Sequence, residues 1–153
     1  MKYLRRSWEL LLILEADDEG SLKWWVDGAF VVHSDMKSHT GGMLSLGKGA
    51  VYATSTCQKL NTKSSTEVEL VGIDDVMPQI LWTRNFLEAQ GYSITDNVVF
   101  QDNQSAMLLE WNGKQSSGKR MRHIDICYFF ITDHIEAGEV RIDYCLTGEM
   151  TAD

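Results

Sequence analysis

The order of strand-like and helix-like segments is the feature that most constrains the fold of this chain. Apolar, β-branched and aromatic residues predict a first strand over residues 21–33 and a hairpin of two strands over residues 39–58, with Gly47 to Gly49 at its turn. Apolar residues then recur at the period of an α-helix from Ser64 to Gly91, which predicts a long helix that Pro78 kinks or splits.

Strands and helices alternate in the second half of the chain. The predicted elements are a strand (97–102), a helix (103–113), a loop (114–122), a helix (123–138), a strand (139–145) and the start of another helix (146–153). This order predicts an α/β fold with an antiparallel hairpin on an otherwise parallel sheet. Ligands in open sheets of this kind bind near the carboxyl ends of the strands, so acidic residues there are site candidates.

Length and composition predict one soluble domain. The 153 residues, 44% of them hydrophobic, suit a single core, and the apolar run "LLLIL" is too short to span a bilayer, so no membrane association is expected. Residues 1–20 have apolar positions at helical spacing and predict a helix that belongs to something longer. The odd, widely spaced cysteines lack a C-x-x-C pair, which favours reduced thiols inside a cell.

The acidity of the chain argues against a free-standing nucleic-acid binder. The formal net charge is -8, whereas phosphate contacts normally come with a basic surplus. The objection weakens if the acidic groups bind a metal, or if a neighbouring domain supplies the basic surface.

Three carboxylates occupy positions that can converge. Asp27 lies in the first strand, Glu67 in the first turn of the long helix, and Asp102 at the end of the next strand. Each also has a structural explanation: solvent exposure or a bulge for Asp27, and helix capping for Glu67 and Asp102. Close carboxylates repel unless a cation lies among them, and such oxygen ligands suit Mg²⁺ or Mn²⁺.

Capping signals at the start of the long helix are duplicated. Ser64-x-x-Glu67 fits a capping box, and Thr66-x-x-Glu69 fits a second one.

Six ordered blocks carry a resemblance to a known family. They are "WWVDGAF", "SHTGGMLSLG", "STCQKLNTKSSTEVEL", "VFQDNQSAMLLE", "RMRHIDICYFF" and "YCLTGEMTAD". From Trp24 to Asp153 the chain resembles the ribonuclease H domain of copia-type LTR-retrotransposon polyproteins. The resemblance implies a ribonuclease H-like fold, a five-stranded mixed sheet (an antiparallel three-stranded meander plus two parallel strands) with helices on both faces.

The resemblance also implies a site and a reaction. Its D-E-D-D ligand set falls on Asp27, Glu67, Asp102 and Asp153, which would bind two Mg²⁺ (or Mn²⁺) ions and hydrolyse the RNA strand of RNA-DNA hybrids. Residues 1–20 look similar to the connection leaving a reverse transcriptase domain, the implied partner. Residues 21–153 are then expected to be a ribonuclease H-like domain without its final helix, in the cytoplasm (in a virus-like particle) or the nucleus.

Substrate contacts are expected from basic and amide residues around these carboxylates. The candidates are Lys59, Asn61, Lys63, Asn103, Gln104, Ser105, Lys119, Arg120, Arg122 and His123. The alternatives are helix capping for Asn103, Gln104 and Ser105, a solvated loop for Lys119, Arg120 and Arg122, and a structural role at a helix start for His123.

Three other interpretations remain open at this stage. The chain could be a weak or inactive retrotransposon remnant, since Asp153 has no following helix to hold it. An integrase-like nuclease would use Glu136 as the last ligand and leave Glu67 unused. A nucleotide-binding domain of the sugar-kinase and actin class would require glycine and threonine soon after Asp27, and the sequence there matches poorly.

Overall fold

The computed structural model describes residues 9–17, 20–112 and 122–152, without the side chains of residues 109–112 and 122–125. Within this part of the chain the strands are β1 Glu15–Ala16, β2 Ser21–Ala29, β3 His39–Ser45, β4 Gly47–Lys48, β5 Tyr52–Cys57, β6 Asp96–Gln101 and β7 Arg141–Tyr144. The helices are α1 Ser65–Ala89, α2 Gln104–Asn112 and α3 Arg122–Glu136, and a 3-10 turn covers Thr147–Glu149.

Five of these strands form one mixed sheet. Their order is β5-β3-β2-β6-β7, with β2–β3 and β3–β5 antiparallel and β2–β6 and β6–β7 parallel. The predicted meander and the two added parallel strands are therefore confirmed.

The core lies on one face of this sheet. Alternate residues of β2, among them Trp24 and Val26, are fully buried there, as the period of a strand requires. The same cluster contains Ile73 from α1, Met107 from α2 and Ile131 from α3, so all three helices pack on this face. Within the described residues the helices thus cover one face of the sheet, and a helix on the other face stays a prediction.

Helix α1 is continuous across Pro78. It runs unbroken from Ser65 to Ala89, with Pro78 inside it, so the expected split is wrong. Ser64 caps its start, and Gly91, with φ of 92°, follows its end, as expected for a left-handed stop residue.

The segment before the domain differs from its prediction. Residues 9–17 contain no helix, and β1 pairs antiparallel with β4 (Glu15↔Lys48, Ala16↔Gly47), so this part of the predicted helix is wrong. Strand pairing satisfies the backbone groups that a helix would otherwise satisfy. The five aliphatic side chains from Leu10 to Leu14 are exposed. Residues 1–8 lie outside the described residues, and the domain boundary after residue 20 stays a prediction.

Within the described residues, the helices are all too short or too polar to cross a lipid bilayer.

Candidate metal centre

Three carboxylates converge at one edge of the sheet. One oxygen each from Asp27, Glu69 and Asp102 lies within 4.8 Å of the other two. Asp27 belongs to β2, Glu69 to the first turns of α1, and Asp102 directly follows β6. Strand β2, its parallel neighbour β6 and the helix that lies between these strands in the sequence therefore each supply one ligand.

The parallel pairing of β2 and β6 brings the two aspartates together. Trp25 lies opposite Phe100 in this register, and each aspartate follows two residues later on its own strand. Both carboxylates therefore lie at the carboxyl ends of neighbouring parallel strands, where the sequence predicted a site.

A glycine allows α1 to approach this edge. A Cβ at Gly28, next to Asp27, would lie 2.6 Å from Cγ1 of Val68 and 3.2 Å from its carbonyl group. At such distances a side chain at this position requires Val68 to shift. Because Val68 directly precedes Glu69, this close approach sets how far Glu69 lies from Asp27.

Glu69 is held in place by a buried glutamine. Glu69 is 5% exposed, and its Oε2 accepts a hydrogen bond from Nε2 of the fully buried Gln101 at 3.3 Å. Oε1 of Gln101 in turn accepts from the backbone N–H of Asp102 at 2.8 Å and of Asn103 at 3.3 Å. The same side chain therefore orients one carboxylate and the turn that carries another.

Glu67, the predicted ligand, is not brought into this cluster. Its Oε2 accepts from the backbone N–H of Lys63 at 2.6 Å, while its own N–H donates to Ser64 Oγ at 3.2 Å, which closes a capping box in which Lys63 replaces the N-cap Ser64 as the backbone donor. The structure therefore corrects the prediction to Glu69, two residues later. The missed signal is a charged residue within a buried stretch, since Val68 and Leu70 on either side are fully buried.

The last described residues also reach this edge. Oγ1 of Thr147 donates to Oδ2 of Asp102 at 2.9 Å. Burial raises the pKa of the nearby Cys145 thiol, and the negative charges of Glu149 and Asp102 raise it further. The predicted helix start is thus a 3-10 turn that contacts the site.

Asp153, the predicted fourth ligand, lies outside the described residues. Its neighbour Ala152 places a carbonyl oxygen 2.6 Å from where a Cβ of Gly41 would lie, and Gly41 pairs with Asp27. The described chain therefore ends beside the carboxylate cluster.

The remaining candidates fall into three groups. Asn103 caps α2, because its Oδ1 accepts from the backbone N–H groups of Ser105 and Ala106 at 3.1 Å each. Exposed side chains flank the site at the starts of α1 and α2, namely Lys59, Asn61, Lys63, Gln104 and Ser105. Lys119 and Arg120 lie outside the described residues, and the side chains of Arg122 and His123 are not described.

Glu136 lies away from the cluster. It ends α3 shortly before β7 begins opposite Val98, near the amino ends of the parallel strands. The position is at the opposite edge of the sheet from Asp27 and Asp102, which argues against the integrase-like ligand set.

The donor set fits a hard divalent cation. All three groups offer carboxylate oxygens, one of them is buried, and like charges this close are unfavourable without a counter-charge. Oxygen ligands favour Mg²⁺ or Mn²⁺ over zinc.

Comparisons with known proteins agree with this architecture. No protein-family model matches the chain. The retrovirus-related Pol polyprotein from transposon TNT 1-94 of Nicotiana tabacum is 29% identical over 154 aligned positions, covering 100% of this chain and 11% of that protein. The corresponding polyprotein from transposon RE1 of Arabidopsis thaliana is 31% identical over 120 positions, covering 78% of this chain and 8% of that protein.

Solved structures show the fold. LC11-RNase H1, isolated from compost by a metagenomic approach, superposes with a TM-score of 0.60 at 8% identity, covering 84% of this chain and 86% of that one. The same protein in complex with an RNA/DNA hybrid gives a TM-score of 0.57 at 7% identity, covering 85% and 88% of the two chains.

The fold and the carboxylate cluster define a ribonuclease H-like domain. This particular domain is related to the retrovirus-related Pol polyproteins of plant transposons, and it spans about a tenth of the length of those relatives. The resemblance seen in the sequence is confirmed at this level.

Proposed function

We propose that this domain hydrolyses the RNA strand of RNA-DNA hybrids during reverse transcription of a copia-type retrotransposon. The observation that carries the proposal is the convergence of Asp27, Glu69 and Asp102 at the carboxyl ends of the central strands of a ribonuclease H-like fold. A structural neighbour that is named for its complex with an RNA/DNA hybrid supports this choice of substrate.

The ligands in this proposal are the three clustered carboxylates together with Asp153. Two Mg²⁺ (or Mn²⁺) ions, when bound, would supply Lewis-acid activation of a water and stabilisation of the leaving oxygen. Gln101 orients Glu69, and Thr147 holds one oxygen of Asp102, so both carboxylates are positioned by neighbouring side chains. Selectivity for RNA would come from contacts to the ribose 2′-hydroxyl.

Partners of the domain follow from the relatives. The proposal includes a reverse transcriptase domain of the same polyprotein, which would supply the basic surface that the acidic chain lacks. The site of action would be a cytoplasmic virus-like particle or the nucleus. Lys59, Asn61, Lys63, Asn103, Gln104, Ser105, Lys119, Arg120, Arg122 and His123 remain the proposed substrate contacts.

The test is cleavage of an end-labelled RNA-DNA hybrid with Mg²⁺ or Mn²⁺. Wild-type chain should release RNA fragments and leave the DNA strand, an RNA duplex and a DNA duplex intact. Asp102→Asn should abolish cleavage while circular dichroism shows an unchanged fold. A folded wild-type chain that leaves the hybrid intact with both metals would refute the activity and identify an inactive remnant instead.

A further inference from the structure

A buried glutamine joins the start of α1 to strand β3. Gln58 directly follows β5 and is fully buried. Its Nε2 donates to the carbonyl oxygen of Val68 at 2.9 Å and to Oγ1 of Thr40 at 3.0 Å. Both N–H groups of the side-chain amide are therefore used, one toward the helix and one toward the sheet.

These contacts meet at the point where α1 approaches β2 closely. Thr40 pairs with Gly28 in the strand register, and a Cβ at Gly28 would lie 3.2 Å from the carbonyl oxygen of Val68. Gly28 and Val68 are the sequence neighbours of two of the three clustered carboxylates. Gln58 therefore binds the backbone at the place that sets the distance between those two ligands.

A second hydrogen bond holds the same helix further along. Oγ1 of Thr40 accepts from Gln58 and donates to Oδ2 of Asp75 at 3.3 Å. Val68 and Asp75 lie about two turns apart on one face of α1. The glutamine and the threonine thus fasten α1 to β3 at two points.

Gln58 is itself fixed in place. Its backbone N–H donates to the carbonyl oxygen of the buried Ser38 at 2.9 Å, and Oγ of Ser38 lies 3.0 Å from Oγ1 of Thr62. The orientation of the side-chain amide follows from its partners, because a flipped amide would direct its own oxygen at the carbonyl oxygen of Val68.

Stability alone does not account for a glutamine at this position. Its Oε1 is buried and has no hydrogen-bond partner among the described residues. A buried acceptor without a partner destabilises a fold, and an apolar side chain of the same volume avoids that loss. The two donated hydrogen bonds are the property that an apolar side chain cannot replace.

We propose that Gln58 is a positioning residue for the metal centre, because it holds Val68, and with it Glu69, at a fixed distance from β2. The inference rests on the proposed function and adds a residue that acts through the backbone. Gln101 orients the carboxylate of Glu69, whereas Gln58 sets the position of the helix turn that carries it.

The test compares Mn²⁺ binding by wild-type chain and by Gln58→Met, which keeps the side-chain volume and removes the two donors. Electron paramagnetic resonance of free Mn²⁺ gives the dissociation constant without any cleavage. Gln58→Met should raise this constant by about tenfold, as expected for a residue behind a metal ligand. In hybrid cleavage, the Mg²⁺ concentration at half-maximal rate should rise by about the same factor, while the rate at saturating Mg²⁺ stays within about threefold.

Asn97 provides the matched control. It is also a buried amide, whose Nδ2 donates to the carbonyl oxygen of Glu139 at 3.0 Å and whose Oδ1 has no partner within the described part of the chain. It lies near the start of β6, whereas the cluster lies at the end of that strand. Asn97→Leu should therefore leave the Mn²⁺ dissociation constant unchanged, whatever it does to the urea midpoint.

Thr40 keeps the inference testable if Gln58→Met does not fold. Thr40→Val removes the hydroxyl that accepts from Gln58 and should weaken Mn²⁺ binding. Thr40→Ser keeps that hydroxyl and should retain the wild-type dissociation constant. Equal constants for these two variants would overturn the inference.

The failure of this inference and that of the proposed function are distinguishable. Unchanged Mn²⁺ affinity in Gln58→Met, with a wild-type chain that binds Mn²⁺ and cleaves the hybrid, would overturn the positioning role alone. A folded wild-type chain that binds no Mn²⁺ would overturn the metal centre and the proposed function as well.

Discussion

Glu67 and Glu69 show how two residues of one type, two positions apart, take different roles. Both follow a hydroxyl residue by three positions, so both fit a capping box in the sequence. Only Glu67 closes one, whereas Glu69 is buried against Gln101 and directed at the two aspartates. Local capping rules describe the first role, and burial of a charge beside other charges describes the second.

Replacing each of the two glutamates separately by glutamine tests this assignment. Glu69→Gln should lower hybrid cleavage by at least about a hundredfold, because it removes a metal ligand. Glu67→Gln should keep cleavage within about twofold, because a glutamine oxygen can still accept the cap hydrogen bond. Rates measured at saturating Mg²⁺ on chains of equal thermal stability decide between them, and the reverse ranking would restore Glu67.

Cys127 provides a second prediction at this scale. Burial raises the pKa of its thiol to about 12, and the hydrogen bond from Sγ to Oδ2 of Asp74 at 3.1 Å adds to the shift. At pH 8 its thiolate fraction is then about a thousandfold below that of an ordinary thiol.

A thiol-reactive dye at pH 8 checks this difference. The exposed Cys57 should react within the mixing period, and Cys127 only as fast as the chain unfolds. Cys57→Ser should remove the fast phase. A fast phase that survives this substitution and disappears with Cys127→Ala would contradict the burial argument.

At the scale of the element, the position of α1 over the sheet depends on the absence of a side chain at Gly28. The sequence predicts its period, its Ser64 cap and its end at Gly91, all of which are local signals. The close contact between Gly28 and Val68 is not local, because it joins residues forty positions apart whose spacing has no pattern in the sequence. The position of Glu69 over the sheet therefore could not be derived beforehand.

Two glycine-to-alanine changes separate close packing from helix propensity. Gly28→Ala should destabilise the fold by about 1–3 kcal/mol and weaken metal binding, because its Cβ overlaps Val68. Gly72→Ala should stabilise it by up to about 1 kcal/mol, because its Cβ would meet nothing nearer than 3.6 Å and alanine favours the helix. Urea unfolding of both variants gives the comparison, and equal effects would refute the packing account.

Pro78 inside α1 is a site where the fold tolerates a local cost. Proline has no N–H to donate to the carbonyl four residues earlier, which here belongs to Asp74. Pro78→Ala should therefore raise the free energy of unfolding by about 1–3 kcal/mol, since Pro78 is exposed and its removal leaves no cavity. Unfolding curves in urea measure the change, and a loss of stability would show that the ring is required for packing.

For the whole molecule, the sequence predicts the five-stranded sheet better than the separate two-stranded pair β1–β4. Apolar, aromatic and β-branched residues between turn signals identify β2, β3, β5 and β6. The pair β1–β4 is missed, because strands of two residues carry no period, and an apolar run such as Leu10 to Leu14 fits a helix and an extended segment equally well. Of the three clustered carboxylates, the sequence predicts Asp27 and Asp102 but not Glu69.

Metal binding should be visible in the stability of the whole chain. Clustered carboxylates on a chain of net charge -8 repel one another, and a cation that binds only the folded state stabilises it by mass action. At a Mg²⁺ or Mn²⁺ concentration about a hundred times the dissociation constant, the gain is about 2.7 kcal/mol, or a Tm increase on the order of 5 °C.

Thermal melts with Mg²⁺, Mn²⁺ and an equal ionic strength of NaCl measure this gain. Asp102→Asn should lose most of the metal-specific increase and keep the response to NaCl. Identical increases for wild type and variant would show that the cations act only through screening.

The parallel pairing of β2 with β6 has a kinetic consequence. Ser21 pairs with Asp96, so the contact that brings Asp27 to Asp102 closes a loop of about seventy-five residues, whereas the β2–β3 hairpin closes locally. Non-local pairings form late in folding. A chain emerging from the ribosome therefore acquires its hairpin before the β2–β6 pairing, so that the appearance of metal binding reports the formation of this parallel pair.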